Sequence, residues 1–205
     1  QAEWRTDPAR AGESAVLADI GVHAFNLAAF ISGRTAEAIS ADLFTAVPGR
    51  RLDDNAHLLM RWSGGVRGTL TASQTSPGHY NDLSVRIHGS TGSLEWRGTA
   101  PEELRHARYG EEARTIIRGG FGSTDAAKRV SRMPAAHPVG YIEAFGNYYR
   151  DAATIIRAHR ADTPVDPAIA ALVPDVIDGA RGVKFVAAAV ASSKAGGAWT
   201  PASFG

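Results

Sequence analysis

A chain of 205 residues, 44% of them hydrophobic and 21% charged, is long enough to bury a core and ordinary for a globular protein. A formal net charge of +1, with arginines scattered among acidic residues, argues against nucleic acid or an anionic membrane as partner. The absence of cysteine excludes disulfides, thiolate catalysis and thiolate zinc sites and fits a reducing cytoplasm, and no apolar stretch approaches the roughly 20 residues of a membrane helix.

The opening Gln-Ala-Glu-Trp-Arg has neither an initiator Met nor a signal peptide, as expected of a chain cut from something longer. Residues 13–32 are predicted to form a helix, because Leu17, Ile20, Ala24, Leu27, Ala28 and Ile31 recur at the spacing of one buried face and Gly33 can end it. The period then changes. Residues 38–47, 55–62 and 66–76 read as strands, the last two joined by Ser63-Gly64-Gly65. Residues 83–88 and 93–97 form a second hairpin around Gly89-Ser90-Thr91-Gly92, and residues 103–108 and 114–118 a third around Tyr109-Gly110. Residues 119–138 read as a surface loop. Helices follow over 141–159 and 174–193, with Pro174 in the first turn of the second. Helix, strands, helices is the order of an α+β fold: one mainly antiparallel sheet, open on one face and covered by helices on the other, in a single domain over 1–205.

Polar chemistry concentrates on the first helix. Asp19, His23 and Asn26, four and three residues apart, share a narrow stripe at the edge of the apolar face. A carboxylate one turn before a histidine can hold the ring for general acid–base work; the same spacing also describes a solvated ion pair. No other histidine cluster completes a metal site, so none is expected. Asp53-Asp54 and Glu111-Glu112 read as solvated charge beside turns, and Trp62 and Trp96 as sheet-packing residues.

Several segments carry a resemblance. Trp4-Arg5 and Asp7-Pro8 precede Ala18-Asp19-Ile20-Gly21-Val22-His23-Ala24-Phe25-Asn26-Leu27. Hairpin segments Leu58-Leu59-Met60-Arg61-Trp62-Ser63-Gly64-Gly65 and Ile87-His88-Gly89-Ser90-Thr91-Gly92-Ser93-Leu94 follow. His137-Pro138-Val139-Gly140-Tyr141-Ile142-Glu143-Ala144-Phe145 and Asp178-Gly179-Ala180-Arg181-Gly182 come later in the same order. Together they resemble the domain that follows the Rossmann domain in the glucose–fructose oxidoreductase, inositol dehydrogenase and MocA (Gfo/Idh/MocA) family. Asp19, Gly21 and His23 match the family's Asp-x-Gly-x-His-x-x-Asp pattern; Asn26 replaces its last Asp.

The resemblance implies a dihydrodipicolinate reductase-like C-terminal domain and oxidation or reduction of a sugar, inositol or related polyol. His23 would exchange a proton with the substrate hydroxyl while the substrate carbon passes hydride to nicotinamide, and Asp19 would orient it. Trp4, Arg5, Asn26, His137 and Tyr141 are candidate substrate contacts. Trp4 and Arg5 also read as a staple before the helix and a surface arginine, and His137 and Tyr141 as helix-entry residues. NAD or NADP would be held mainly by a Rossmann domain absent from this chain. No Gly-x-Gly-x-x-Gly sits between a strand and a helix, and Lys128, Lys184 and Lys194 lie outside any Glu-Lys-Pro motif. The chain is therefore expected to be inactive alone. Two further readings stay open: an NAD-dependent glycoside hydrolase domain, and a non-enzymatic sugar-binding or assembly module. Association into a homodimer or homotetramer is expected through the open sheet face, where Arg67, Thr69, Thr71 and Ser73 share a side and Leu59 adds an apolar group.

Overall fold

The computed structural model describes Trp4 and residues 7–204. Arg5 lies outside the described residues. The chain divides into two compact units, one from Gln1–Tyr80 and Asp175–Gly205, the other Asn81–Pro174. The α+β class with antiparallel sheets is as expected. The strands, however, are shared between two four-stranded sheets and do not make one. Among the described residues no helix is long and apolar enough to cross a membrane.

In the first unit a short α1 (Pro8–Ala11), N-capped by Asp7, precedes the site helix. That helix differs from expectation in one respect: Leu17–Gly21 form a π turn before α2 (Val22–Ser32). The Val22 N–H reaches Leu17 O, five residues back. Gly33, left-handed at φ 62°, ends α2 as predicted. The sheet has the order β3 (Arg67–Ser73), β2 (Asn55–Trp62), β1 (Ala36–Phe44) and β8 (Thr200–Pro201). Alternation along β2 buries Ala56, Leu58, Met60 and Trp62 and exposes His57, Leu59 and Arg61. The β1 residues Ile39 and Ala41 and the β3 residue Leu70 join the buried face.

The long α6 (Val176–Lys194) packs on that buried face. Its N-cap is Asp175, whose carboxylate accepts from the amides of Ile177 and Asp178, so Pro174 precedes the cap and is not in the first turn. Small residues let the helix approach: a Cβ on Gly182 would meet Val22 Cγ2 at 3.0 Å. Phe185, fully buried, stacks on Phe25 of α2 at 4.4 Å, and Phe25 stacks on Trp62 at 5.6 Å. Trp62 is thus a packing residue, as expected. β8 covers only Ala38 and Ile39 of β1; beyond it Ser192 Oγ and Ser193 Oγ accept from the amides of Ala41 and Leu43. The end of α6 thereby satisfies donors that an edge strand would leave open. On the outer face Arg67, Thr69 and Thr71 are exposed beside Leu59, Arg61 lies over the Trp199 ring at 4.0 Å, and Phe44 stacks on His57.

The second unit is a meander of β4 (Ser84–Gly89), β5 (Gly92–Arg97), β6 (Glu103–Arg108) and β7 (Arg114–Ile117). Gly92 has no room for a side chain, because a Cβ there would meet Ala107 O at 2.3 Å. Trp96 is half-buried and donates from Nε1 to Pro101 O, again a packing role. Residues 119–138 are not only loop. They contain α3 (Asp125–Val130), capped by Thr124. Arg129 of α3 clamps the buried Asp151 of α4 (Tyr141–Arg160), and Arg132 reaches the buried Asn147. The Arg129 guanidinium, outweighing burial, holds the Asp151 carboxyl below the usual carboxylate range. A short α5 (Pro167–Ala170) follows.

Candidate functional site

Asp19 lies in the π turn, half-buried, and His23 and Asn26 lie on α2, both exposed. In a regular α-helix residues four apart overshoot a turn by roughly 40°. Here Asp19 sits in the wider π turn and His23 in the first turn of the α-helix that follows. Single π turns recur at functional sites in helices. Gly21 is what the turn tolerates here: a Cβ would meet Leu17 Cδ2 at 2.6 Å, and Leu17 is fully buried.

The Asp19 carboxylate receives a side chain that the sequence pattern does not reveal. Gln74, just after β3, donates from Nε2 to Asp19 Oδ2 at 3.2 Å. The start of the helical segment is held by another unexpected group. Asp53 Oδ1 accepts from Ser14 Oγ and from the Val16 amide, each at 2.9 Å, and Ser14 Oγ in turn accepts from the Leu17 amide. Burial pushes the Asp53 carboxyl above the ordinary aspartate range against the lowering effect of these donors.

Its neighbour Asp54 is fully buried and accepts from the amides of Ala46 and Val47, from Asn55 Nδ2 and from Arg50 Nη1. Burial raises its pKa, but the two amides, Asn55 and Arg50 outweigh that and hold the carboxyl below the ordinary range. The reading of Asp53-Asp54 as solvated charge is therefore corrected. The signals are non-local: the Val16 contact spans 37 residues and the Gln74 contact 55. Glu111 does lie on the surface, paired only loosely with Arg108 at 3.9 Å.

Trp4 is exposed in the first unit. His137 and Tyr141 belong to the second unit. There Arg118 reaches Glu102 Oε2 through Nε and Nη2 at 2.7 and 2.6 Å and donates to His137 O at 2.6 Å. Glu102 Oε1 accepts from the Val139 amide. This pair fixes the backbone of the His137-Pro138-Val139 segment while both the His137 and Tyr141 side chains remain exposed. Arg118 keeps the Glu102 carboxyl below the usual glutamate range. The Tyr141 ring packs on Phe145 at 4.8 Å. Gly119-Gly120-Phe121-Gly122 follows the last strand of an antiparallel meander and leads to a six-residue helix. It is not the strand–loop–helix of a parallel βαβ unit, so this glycine run does not form a dinucleotide phosphate cradle.

Residues 1–95 match the family model described as the GFO/IDH/MocA C-terminal domain. In sequence and fold the chain matches a Gfo/Idh/MocA C-terminal domain. The uncharacterized oxidoreductase YfiI of Bacillus subtilis (strain 168) is 32% identical over 200 residues, which are 96% of this chain and 50% of that one. An oxidoreductase of known structure from Sinorhizobium meliloti is 46% identical, with a TM-score of 0.85 over 90% of this chain and 51% of its own. The inositol dehydrogenase homolog of Azotobacter vinelandii, solved with NADH and myo-inositol, is 30% identical with a TM-score of 0.85, covering 97% of this chain and 51% of that one. The chain thus spans about half the length of these relatives. The Asp178-Gly179-Ala180-Arg181-Gly182 segment has a physical reading here. Asp178 and Asp175 cap α6, Arg181 pairs with Asp178 at 3.2 Å, and Gly182 admits Val22.

Proposed function

We propose that this chain is the substrate side of an NAD(P)-dependent oxidoreductase acting on a sugar, inositol or related polyol, with His23 exchanging the proton of the reacting hydroxyl. The observation that carries the reading is the exposed His23 one turn beyond Asp19 on a helix that a π turn and a buried cap hold in place. A secondary alcohol becomes a better hydride donor as its proton departs, so an acceptor within hydrogen-bond reach is the group the chemistry needs. Asp19 orients the ring or a neighbouring hydroxyl, and Asn26 supplies a neutral amide where a carboxylate would repel a developing alkoxide. Trp4, Arg5, His137 and Tyr141 are proposed substrate contacts.

NAD or NADP is proposed to be held mainly by a Rossmann domain outside these residues, and residues 1–205 to act as one functional domain beside it. The outer sheet face with Leu59 is proposed to mediate a homodimer or homotetramer. The test is NADH formation from myo-inositol and NAD+ by the protein carrying its nucleotide-binding domain. His23→Ala should lower kcat by about 10²–10⁴-fold, and a loss below tenfold would remove His23 from the acid–base role. This chain alone should form no NADH, and measurable turnover by it would overturn the division of labour.

A further inference from the structure

We infer that Gln74 is a positioning residue for Asp19, held in register with the site helix by the adjacent pair Asp53 and Asp54. The inference rests on the reading of Asp19 and His23 as the site. The geometry has three parts. The Asp53 side chain fixes the start of the helical segment at Ser14 and Val16. One residue later, the Asp54 carbonyl accepts from the Gln74 amide at 2.9 Å, which fixes the end of β3. The Gln74 side chain then reaches Asp19 Oδ2 at 3.2 Å. Two segments distant in sequence are thus tied to one dipeptide, and the polar contact between them closes the loop.

The neighbours of Gln74 decide its direction. Asn55 Nδ2 donates to Thr75 Oγ1 at 2.9 Å, and Thr75 N donates to Ser73 Oγ at 3.1 Å. The side chains of Ser73 and Thr75 are engaged with Asn55 and each other, leaving Gln74 turned to the helix. Asp54 stiffens this arrangement, since its carboxylate also accepts from Asn55 Nδ2 at 2.8 Å. A carboxamide suits this position because it donates a directed hydrogen bond to the Asp19 carboxylate without adding a charge that would compete for it. Lysine or arginine here would place a positive charge against Asp19, and glutamate would repel it.

Two measurements test the inference. In 15N NMR spectra of this chain, Asp19→Asn should shift the side-chain NH2 signals of Gln74 and leave those of Asn55 in place. Unchanged Gln74 signals would overturn the contact. In the protein with its nucleotide-binding domain, assayed with myo-inositol and NAD+, Gln74→Leu should lower kcat about ten- to a hundredfold with a smaller change in KM, the range for one hydrogen bond to a charged group. On an Asp19→Ala background the same substitution should cost less than twofold, because residues acting through one another are non-additive. An equal loss on both backgrounds would show that Gln74 acts elsewhere. If Asp19→Ala and His23→Ala themselves leave turnover unchanged, the site reading fails and the positioning role with it, a result the NMR measurement cannot produce.

Discussion

Replacing Asp54 by alanine should destabilise the first unit far more than removal of a surface charge. Its carboxylate is fully buried and takes hydrogen bonds from Ala46 N at 2.8 Å, Val47 N at 3.1 Å, Asn55 Nδ2 at 2.8 Å and Arg50 Nη1 at 3.3 Å. Alanine leaves these donors without their acceptor. A buried unsatisfied donor costs about 1–3 kcal/mol. Ala46 is exposed and Val47 and Arg50 are half-exposed, so they recover part of that cost, and the expected loss is about 1–3 kcal/mol, counted mainly on Asn55. Urea unfolding followed by the fluorescence of Trp62, with Trp4, Trp96 and Trp199 changed to phenylalanine, reports on this unit's core. Loss of less than about 0.5 kcal/mol, the ordinary effect of a surface substitution, would refute the reasoning and restore the solvated-charge reading. The pH dependence gives a second check. Because the folded-state pKa of Asp54 is depressed, its contribution is fully present above the ordinary aspartate range and is lost as pH falls through the folded value. The gap between wild type and Asp54→Ala should therefore close in acid.

Asp53 should behave with the opposite sign: its carboxyl is raised by burial, so the folded state holds the proton longer than the unfolded state and loses stability as pH rises through the window just above the ordinary aspartate range. Asp53→Asn should flatten that fall in urea midpoints measured across the mildly acidic range; an unchanged slope would count against the buried cap. Phe185→Ala empties the centre of the Phe25–Phe185 stack and should cost about 3–5 kcal/mol, read as a lower thermal midpoint and a loss of near-ultraviolet circular dichroism. Association through the outer sheet face predicts a solution mass that is a multiple of 21.6 kDa and falls to one chain in Leu59→Asp; light scattering that finds the single-chain mass for the unaltered protein would end that proposal.

Much of the fold was legible because it is written in local periods. Apolar residues every three or four positions mark α2, α4 and α6, and alternation marks β2, whose bounds of Asn55–Trp62 coincide with the expected 55–62. Gly33 after the last periodic residue could end the helix, since its left-handed φ carries no Cβ penalty. The Asp19–His23 stripe was likewise visible, since both residues lie on one helix. What escaped needed distant partners or small differences in hydrogen bonding. The π turn departs from an α-helix by a single bond register, and no period of apolar residues records it. The division of the strands into two sheets depends on which edges pair, and hairpin turns specify only neighbours. Asp53 and Asp54 resemble any acidic pair beside a turn until folding brings Ser14 and Val16 to one carboxylate and closes the Ala46–Val47 loop over the other. Gln74 had no local signal at all, because a side-chain amide acquires its role only when tertiary packing sets a carboxylate 55 residues away within hydrogen-bond reach.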